Sequence, residues 1–320
     1  MAEPAAAESA PPSTLAGHSR GDLLFTGVVT VASLAIPLLL VFLVWELYSG
    51  ARPAIGAFGF GFITGSVWDP VAERFGALPL IFGTLLSSLL ALLMAIPLSL
   101  GVAIWLTEFA PPRLRAPVAF LTELLAAIPS VVYGLWGIFV LIPFLRGIVF
   151  PWLQGTFGFL PFFQGQIYGQ SMLAASVILA IMIMPYIMSV AREVLAAVPG
   201  SQREAALALG ATRWEAVIGA VVPYARSGLI GAIVLGLGRA LGETMAVTML
   251  IGNRHEISTS LLAPGYTMAA VIANEFAEAA THLHIAALAY VAFTLFLVTV
   301  VVNALARVLV WRVSRQTGPT

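Results

Sequence analysis

The chain has no cysteine, no lysine and little charge of either sign: Asp, Glu and Arg together make up 9% of its 320 residues. Without cysteine, disulfides, thiol catalysis and thiolate-ligated metals are excluded. No Walker A sequence is present, so the chain is not itself a P-loop ATPase. The formal net charge is zero, which argues against general nucleic-acid binding. All fifteen basic residues are arginine, which reads as genomic composition and decides nothing about mechanism. An ordinary soluble domain carries about 25% charged residues. This chain instead is 60% hydrophobic with a mean hydropathy of +0.99.

What is present is a series of apolar runs reaching the roughly 20 residues that cross a bilayer. The expected fold is an all-α polytopic membrane protein with six transmembrane helices and a cytoplasmic hairpin. Residues 1–20, rich in Ala, Pro and Ser, read as a disordered cytoplasmic tail and not as a signal peptide. Residues 21–320 then form the membrane domain. The spans are expected near 23–47, 80–106, 118–142, 171–190, 224–251 and 284–310. Gly and Pro density makes 49–78 a loop, and 144–170 an aromatic interfacial loop. Pro129 should kink or interrupt the third span, by removing a backbone donor where the freed groups line a cavity or pack in protein. Arg20, Arg113, Arg115, Arg192, Arg203, Arg213, Arg312 and Arg315 fall on one set of faces. Only Arg52, Arg74, Arg146 and Arg254 fall on the other. The first set is therefore expected on the cytoplasmic side, with both termini.

The stretch 199–223 stands between two spans and is polar. Ser201-Gln202-Arg203-Glu204 fits a capping box, and Ala205 to Ala208 favour helix. Gly210 and Thr212 permit a turn before a second helical pattern. A two-helix hairpin follows, with Ala205, Ala206 and Gly210 small enough for close approach by a partner.

The fifth span carries Arg239 and Glu243 in an apolar run. A central Arg costs roughly 2.5–3.5 kcal/mol on insertion scales. Four residues apart on one helix, the two would share a face. They read either as a self-neutralising structural pair or as an anion station, since Arg keeps its charge and presents a fork suited to phosphate oxygens. Glu243 would hold Arg239 neutralised while the site is empty, or accept a hydrogen bond from a protonated oxyanion and so disfavour sulfate. Thr244, and more weakly Ser130 and Tyr133, offer hydroxyls to the same path.

Two motifs carry a family resemblance. Glu204-Ala205-Ala206, three residues, Gly210, nine residues and Ala220-Val221-Val222-Pro223 resemble the EAA loop of ABC-importer permeases. Ala220 and Val222 stand at the two apolar places where that pattern usually has Ile and Leu. Arg239-Ala240-Leu241-Gly242-Glu243-Thr244 resembles the RAxGET signature of phosphate ABC-importer permeases. The continuation through Asn253, Trp68-Asp69-Pro70, Phe75 to Pro79 and Ile128 to Gly137 are similar to the PstC-type subunit. The resemblance implies half of the membrane path of an ATP-driven phosphate importer in a bacterial inner membrane. A PstA-type second permease, two PstB-type ATPases docked at Ser201, Glu204, Ala205, Ala206 and Gly210, and a PstS-type extracytoplasmic binding protein would complete it. ATP and Mg would belong to the ATPase, with no cofactor, metal or nucleic acid on this chain.

His282 and His284, with Glu275 and Glu278 nearby, read as interfacial and not as metal ligands. Glu123 could line the path or sit at the cytoplasmic boundary, and Arg226 and Arg307 read as snorkelling from helix ends. A permease for sulfate or molybdate, an ion-coupled secondary transporter using Arg239 and Glu243 as a proton relay, and a membrane scaffold are the other readings. No nucleophile–base arrangement points to catalysis.

Overall fold

The computed structural model describes residues 20–315; the expected N-terminal tail, apart from Arg20, lies outside the described residues. The chain divides into two units, residues 1–46 and 47–320. Within the first, the described residues form the apolar beginning of α1 (Arg20–Phe58), with side chains such as Leu24, Ile36 and Phe42 exposed.

The second unit starts with the rest of α1. Sequence reading placed 49–58 in a loop, but Gly50, Pro53 and Gly56 are helical. The reason is tertiary: Ala51 and Ala54 are fully buried in a core with Phe62, Phe75 and Tyr290, and packing overrides weak local preference. A short turn, α2 (Gly61–Thr64), leads to a hairpin of β1 (Trp68–Asp69) and β2 (Arg74–Phe75), paired antiparallel. The first full span of this unit is α3 (Leu78–Ile104).

The third span departs most from expectation. Pro129 interrupts the span, one of the two expected outcomes, but the span itself is displaced along the chain. α4 (Pro112–Ala127) stops, Ile128 and Pro129 are extended, and α5 (Ser130–Trp136) begins. Helical structure then continues through α6 (Ile142–Phe144) and α7 (Phe150–Phe157), so the membrane-length segment is Ser130–Phe157 and residues 144–157 are not a loop. The central helix is α8 (Met172–Ala196): 56% of its apolar window is buried, against 28–33% in the other spans of this unit, which makes it the axis of the core. It packs on α3 through small residues, among them Ala91, Ala95, Ala175 and Ala180, as membrane helices do when backbones approach closely. Ser99 donates to the Met184 carbonyl across this contact, at 3.2 Å.

The hairpin comprises α9 (Gly200–Ala208) and α10 (Arg213–Ala216). The fifth span is interrupted like the third. α11 (Val222–Gly242) ends, Glu243 is extended, and α12 (Met245–Ile251) restarts the helix. The connection after it is not simply polar, because α13 (Met268–Glu275) is buried over Met268–Val271. The Met268 amide donates to the Thr84 hydroxyl of α3 at 2.9 Å. The last span is α14 (His282–Arg315).

Four π-turns occur among the described residues, at Trp105–Phe109, Gly137–Leu141, Leu145–Val149 and Val217–Val221. Each ends two residues before a proline: Pro111, Pro143, Pro151 and Pro223. A proline ring clashes with the carbonyl four residues back and offers it no donor. Widening the preceding turn moves that carbonyl aside and gives it another partner. The proline that closes the EAA-like motif therefore has a local structural consequence.

Candidate functional site

The two interrupted spans meet. α5 packs on α12, and the approach is close enough that a β-carbon on Gly134 would overlap Met249, and one on Gly137 would overlap Leu250. α8 passes both breaks. Where α4 stops, its last carbonyls lack intrahelical donors. Tyr133 of α5 donates to the Leu125 carbonyl at 2.9 Å, and Tyr186 of α8 donates to the Ala126 carbonyl at 3.1 Å.

Arg239 lies beside these tyrosines. Its position corrects the sequence reading: it sits in the last turn of α11, not midway along a continuous span. The negative end of the helix dipole favours a cation there by about 0.3–1 kcal/mol, so the charge is less costly than at a helix centre. The guanidinium carbon lies 4.2 Å over the Tyr186 ring centroid, and Nε is buried without a hydrogen-bond partner. Tyr133 is within electrostatic range of both groups.

The expected Arg239–Glu243 pair does not form; among the described residues no ion pair joins them. The four-residue spacing presumed one helix, and the helix ends between the two residues. Glu243 is half-buried, and its Oε1 accepts from the Ala246 amide at 3.4 Å, across the first turn of α12. Thr244 turns its hydroxyl onto the Gly242 carbonyl at 3.2 Å. Ser130 opens α5, partly buried. The structure thus places Tyr133 within electrostatic range of Arg239 and turns the Glu243 carboxylate to the Ala246 amide instead of the guanidinium. Tyr186 was missed; its signal was an aromatic residue directly after Pro185 in an otherwise aliphatic run.

The hairpin also differs from expectation in its caps. Pro199 occupies the N-cap of α9 with an extended ψ, so Ser201 is already inside the helix and caps nothing. The capping box is at Thr212 and Glu215 of α10, and the Thr212 contacts hold the exposed Glu215 carboxyl below its usual range. α9 ends in a Schellman closure: the Gly210 amide donates to the Leu207 carbonyl and that of Ala211 to Ala206. Gly210 has φ +85°, a conformation that favours glycine. Ser201, Glu204 and Ala205 are exposed and Ala206 partly so. Leu209 is 90% exposed and Trp214 58% exposed, which leaves large apolar groups uncovered at the hairpin tip.

The opposite face of α9 is locked. Arg203 grips Glu108 through Nε and Nη2, the latter at 2.7 Å, and donates to the Val198 and Leu195 carbonyls at the end of α8. Glu108 lies in the π-turn after α3. The sequence marks Arg203 by its charge and within the expected capping box, but its partner lies 95 residues away. Glu123, left open there, pairs with Arg192 at 3.0 Å and links α4 to α8.

A second polar cluster joins the β-hairpin, α13 and α14. Glu275 accepts from Trp68 Nε1 at 2.8 Å and lies 3.2 Å from His284 Nε2. His255 Nε2 is 3.3 Å from the other carboxylate oxygen, without hydrogen-bond geometry. Burial raises the Glu275 pKa, but the contacts with His255, Trp68 and His284 outweigh it and hold the carboxyl below its usual value. His284 is buried against Phe75, while His282 is exposed.

Two discontinuous helices meeting beside a partly buried cation in an apolar bundle fit a transport subunit, since broken helices at membrane depth are tolerated where they are packed in protein or bound a path. Comparison narrows this class. Residues 95–315 match the family described as binding-protein-dependent transport system inner membrane component, and the chain belongs to that family. It is 44% identical to the phosphate transport system permease protein PstC of Mesorhizobium japonicum, over 93% of this chain and 92% of the relative. It is 45% identical to the PstC of Xylella fastidiosa over 94% of each chain. A probable PstC from Methanocaldococcus jannaschii is 35% identical over 86% of this chain and 90% of its own. Among solved structures, the MetNI methionine ABC transporter in an inward-facing conformation covers 79% of this chain and 100% of its own at 20% identity, with a TM-score of 0.55, a likeness of fold.

Proposed function

We propose that the chain is one of two permease subunits of an ATP-driven importer of inorganic phosphate, in a bacterial cytoplasmic membrane with both termini on the cytoplasmic side. Arg239 is the anion station, and the single observation that carries this reading is its guanidinium: partly buried at a break between helices, its Nε enclosed without a hydrogen-bond partner and no carboxylate paired to it. Phosphate oxygens match its fork. The family relatives support phosphate as the anion. Ser130, Tyr133 and Thr244 line the same region, and Glu243 accepts a hydrogen bond from the protonated form of the anion.

The hairpin is the docking site for an ATPase subunit. Its exposed Leu209 and Trp214, and the small Ala205, Ala206 and Gly210, offer a surface that a partner's groove would cover. The Arg203–Glu108 lock would carry the partner's motion into α3 and α8. A PstA-type second permease completes the path, two PstB-type ATPases supply ATP and Mg, and a PstS-type binding protein delivers phosphate from outside. This chain binds no cofactor of its own.

The test is phosphate uptake in vesicles containing all partners, comparing the parent with Arg239→Gln. Loss of uptake with intact assembly and retained ATPase activity is expected. Uptake equal to the parent would remove Arg239 from the path.

A further inference from the structure

A cation that must receive an anion faces a conflict. Left alone in an apolar bundle it is costly, and paired with a carboxylate it is already neutralised, so the incoming anion must displace the partner from the same N–H edges. Arg239 avoids both. Its guanidinium carbon is 4.2 Å over the centroid of the Tyr186 ring. A ring face attracts the cation without a carboxylate, so it does not neutralise the guanidinium against an incoming anion. The Arg239 Nε is buried and has no hydrogen-bond partner. The ring in turn is anchored: the Tyr186 hydroxyl donates to the Ala126 carbonyl at 3.1 Å, in the last turn of α4. Gly236, one turn before Arg239, has no side chain to hold α11 away from α8; a β-carbon there would overlap Ile187, the neighbour of Tyr186.

We propose that Tyr186 is the positioning residue for Arg239: its ring face holds the guanidinium at the break between α11 and α12 while leaving the fork open to the transported oxyanion. This rests on the reading of Arg239 as the anion station. Tyr186 does not itself contact the anion in this account. It sets where the cation waits, so the helix dipole, the ring and the anion can act on the guanidinium together.

The ring and the hydroxyl make separable contributions, and two substitutions distinguish them. Tyr186→Phe keeps the ring face and removes the bond to Ala126. Tyr186→Leu removes both. Uptake per assembled complex is measured with all partners present, beside the melting temperature and Arg239→Gln. The expected result is uptake within about twofold of the parent for Phe and a fall of about tenfold for Leu, the scale of a desolvated cation–π contact. Tyr186→Met replaces Leu if that variant does not assemble. Equal losses for Phe and Leu would mean that the hydroxyl only caps α4, which overturns the proposal. Uptake retained in Leu, with Arg239→Gln inactive, overturns the proposal but leaves the anion station standing. Uptake retained in Arg239→Gln removes the station and the proposal with it.

Discussion

Arg203 lies at the C-terminal end of α8 and Arg239 beside its middle, over Tyr186, and the structure treats them in opposite ways. Arg203 has its guanidinium fully engaged, by the Glu108 carboxylate and by the Leu195 and Val198 carbonyls. Glu108 in turn holds Arg203 in its charged form even more firmly than usual. Arg239 rests on a ring, with Nε unpartnered. The first arrangement fixes a hairpin to two spans. The second keeps a charge available. A satisfied arginine reads as a fastening, and an unsatisfied one at a helix break reads as a place for a ligand.

This contrast can be broken from the Arg203 side. Glu108→Leu leaves a partly buried guanidinium without its partner and should destabilise by about 2 kcal/mol, the scale of hydrogen bonds to a charged group. Glu108→Leu with Arg203→Met should recover part of that loss, as measured by melting in detergent. A double variant no better than Glu108→Leu would show that the carbonyl contacts, not the ion pair, fasten α9. The contrast can be sharpened at the Arg239 end by separating the broken helices. Gly134→Ala drives a methyl into Met249 and should cost about 1–3 kcal/mol of stability by overpacking. Normal stability and normal uptake would mean the α5–α12 contact relaxes freely.

The Glu275 cluster gives a third case, a carboxylate held by several donors. Its folded pKa lies below the value of 4.5 expected without these contacts. It therefore contributes stability that is fully present above about 4.5 and is lost as pH falls through the depressed folded value. Melting curves between pH 7 and pH 3 should show this loss, worth about 1–2 kcal/mol for hydrogen bonds to a charged group. Glu275→Gln should flatten that part of the profile, and an unchanged acid limb would assign it to other carboxylates. The smallest effect is expected at Arg192–Glu123, whose carboxylate side chain is 56% exposed. Arg192→Ala should cost less than about 1 kcal/mol. A larger loss in the same melts would mean that α4 depends on this link to hold its break in place.

Much of the fold was legible because membrane spans are written in length and composition. Six apolar segments and the polar hairpin follow directly from the runs, and the turn at Gly210 follows from the residue that best tolerates φ +85°. The candidate site was half legible. Arg239 stands out in an apolar run, but its partner was misassigned, because a four-residue spacing implies neighbours only while the helix continues. The end of α11 at Gly242 turns Glu243 toward the amide of Ala246 instead. The capping box was misplaced for a similar reason. Ser201 and Glu204 have the right spacing, but Pro199 starts the helix two residues too early for Ser201 to cap it.

The sequence by itself determined the class of this protein, the number of its spans, the polar hairpin and the arginine on which the proposed path depends. Hydrophobic length, charge placement and local turn chemistry act within a few turns of chain, so they can be read there. Only the tertiary structure decided where helices stop, that Arg239 lies over Tyr186 and not beside Glu243, and that Arg203 is a fastening. Each of these depends on groups far apart in sequence that meet only after packing, where a buried donor or charge must find whichever acceptor the neighbouring helix presents.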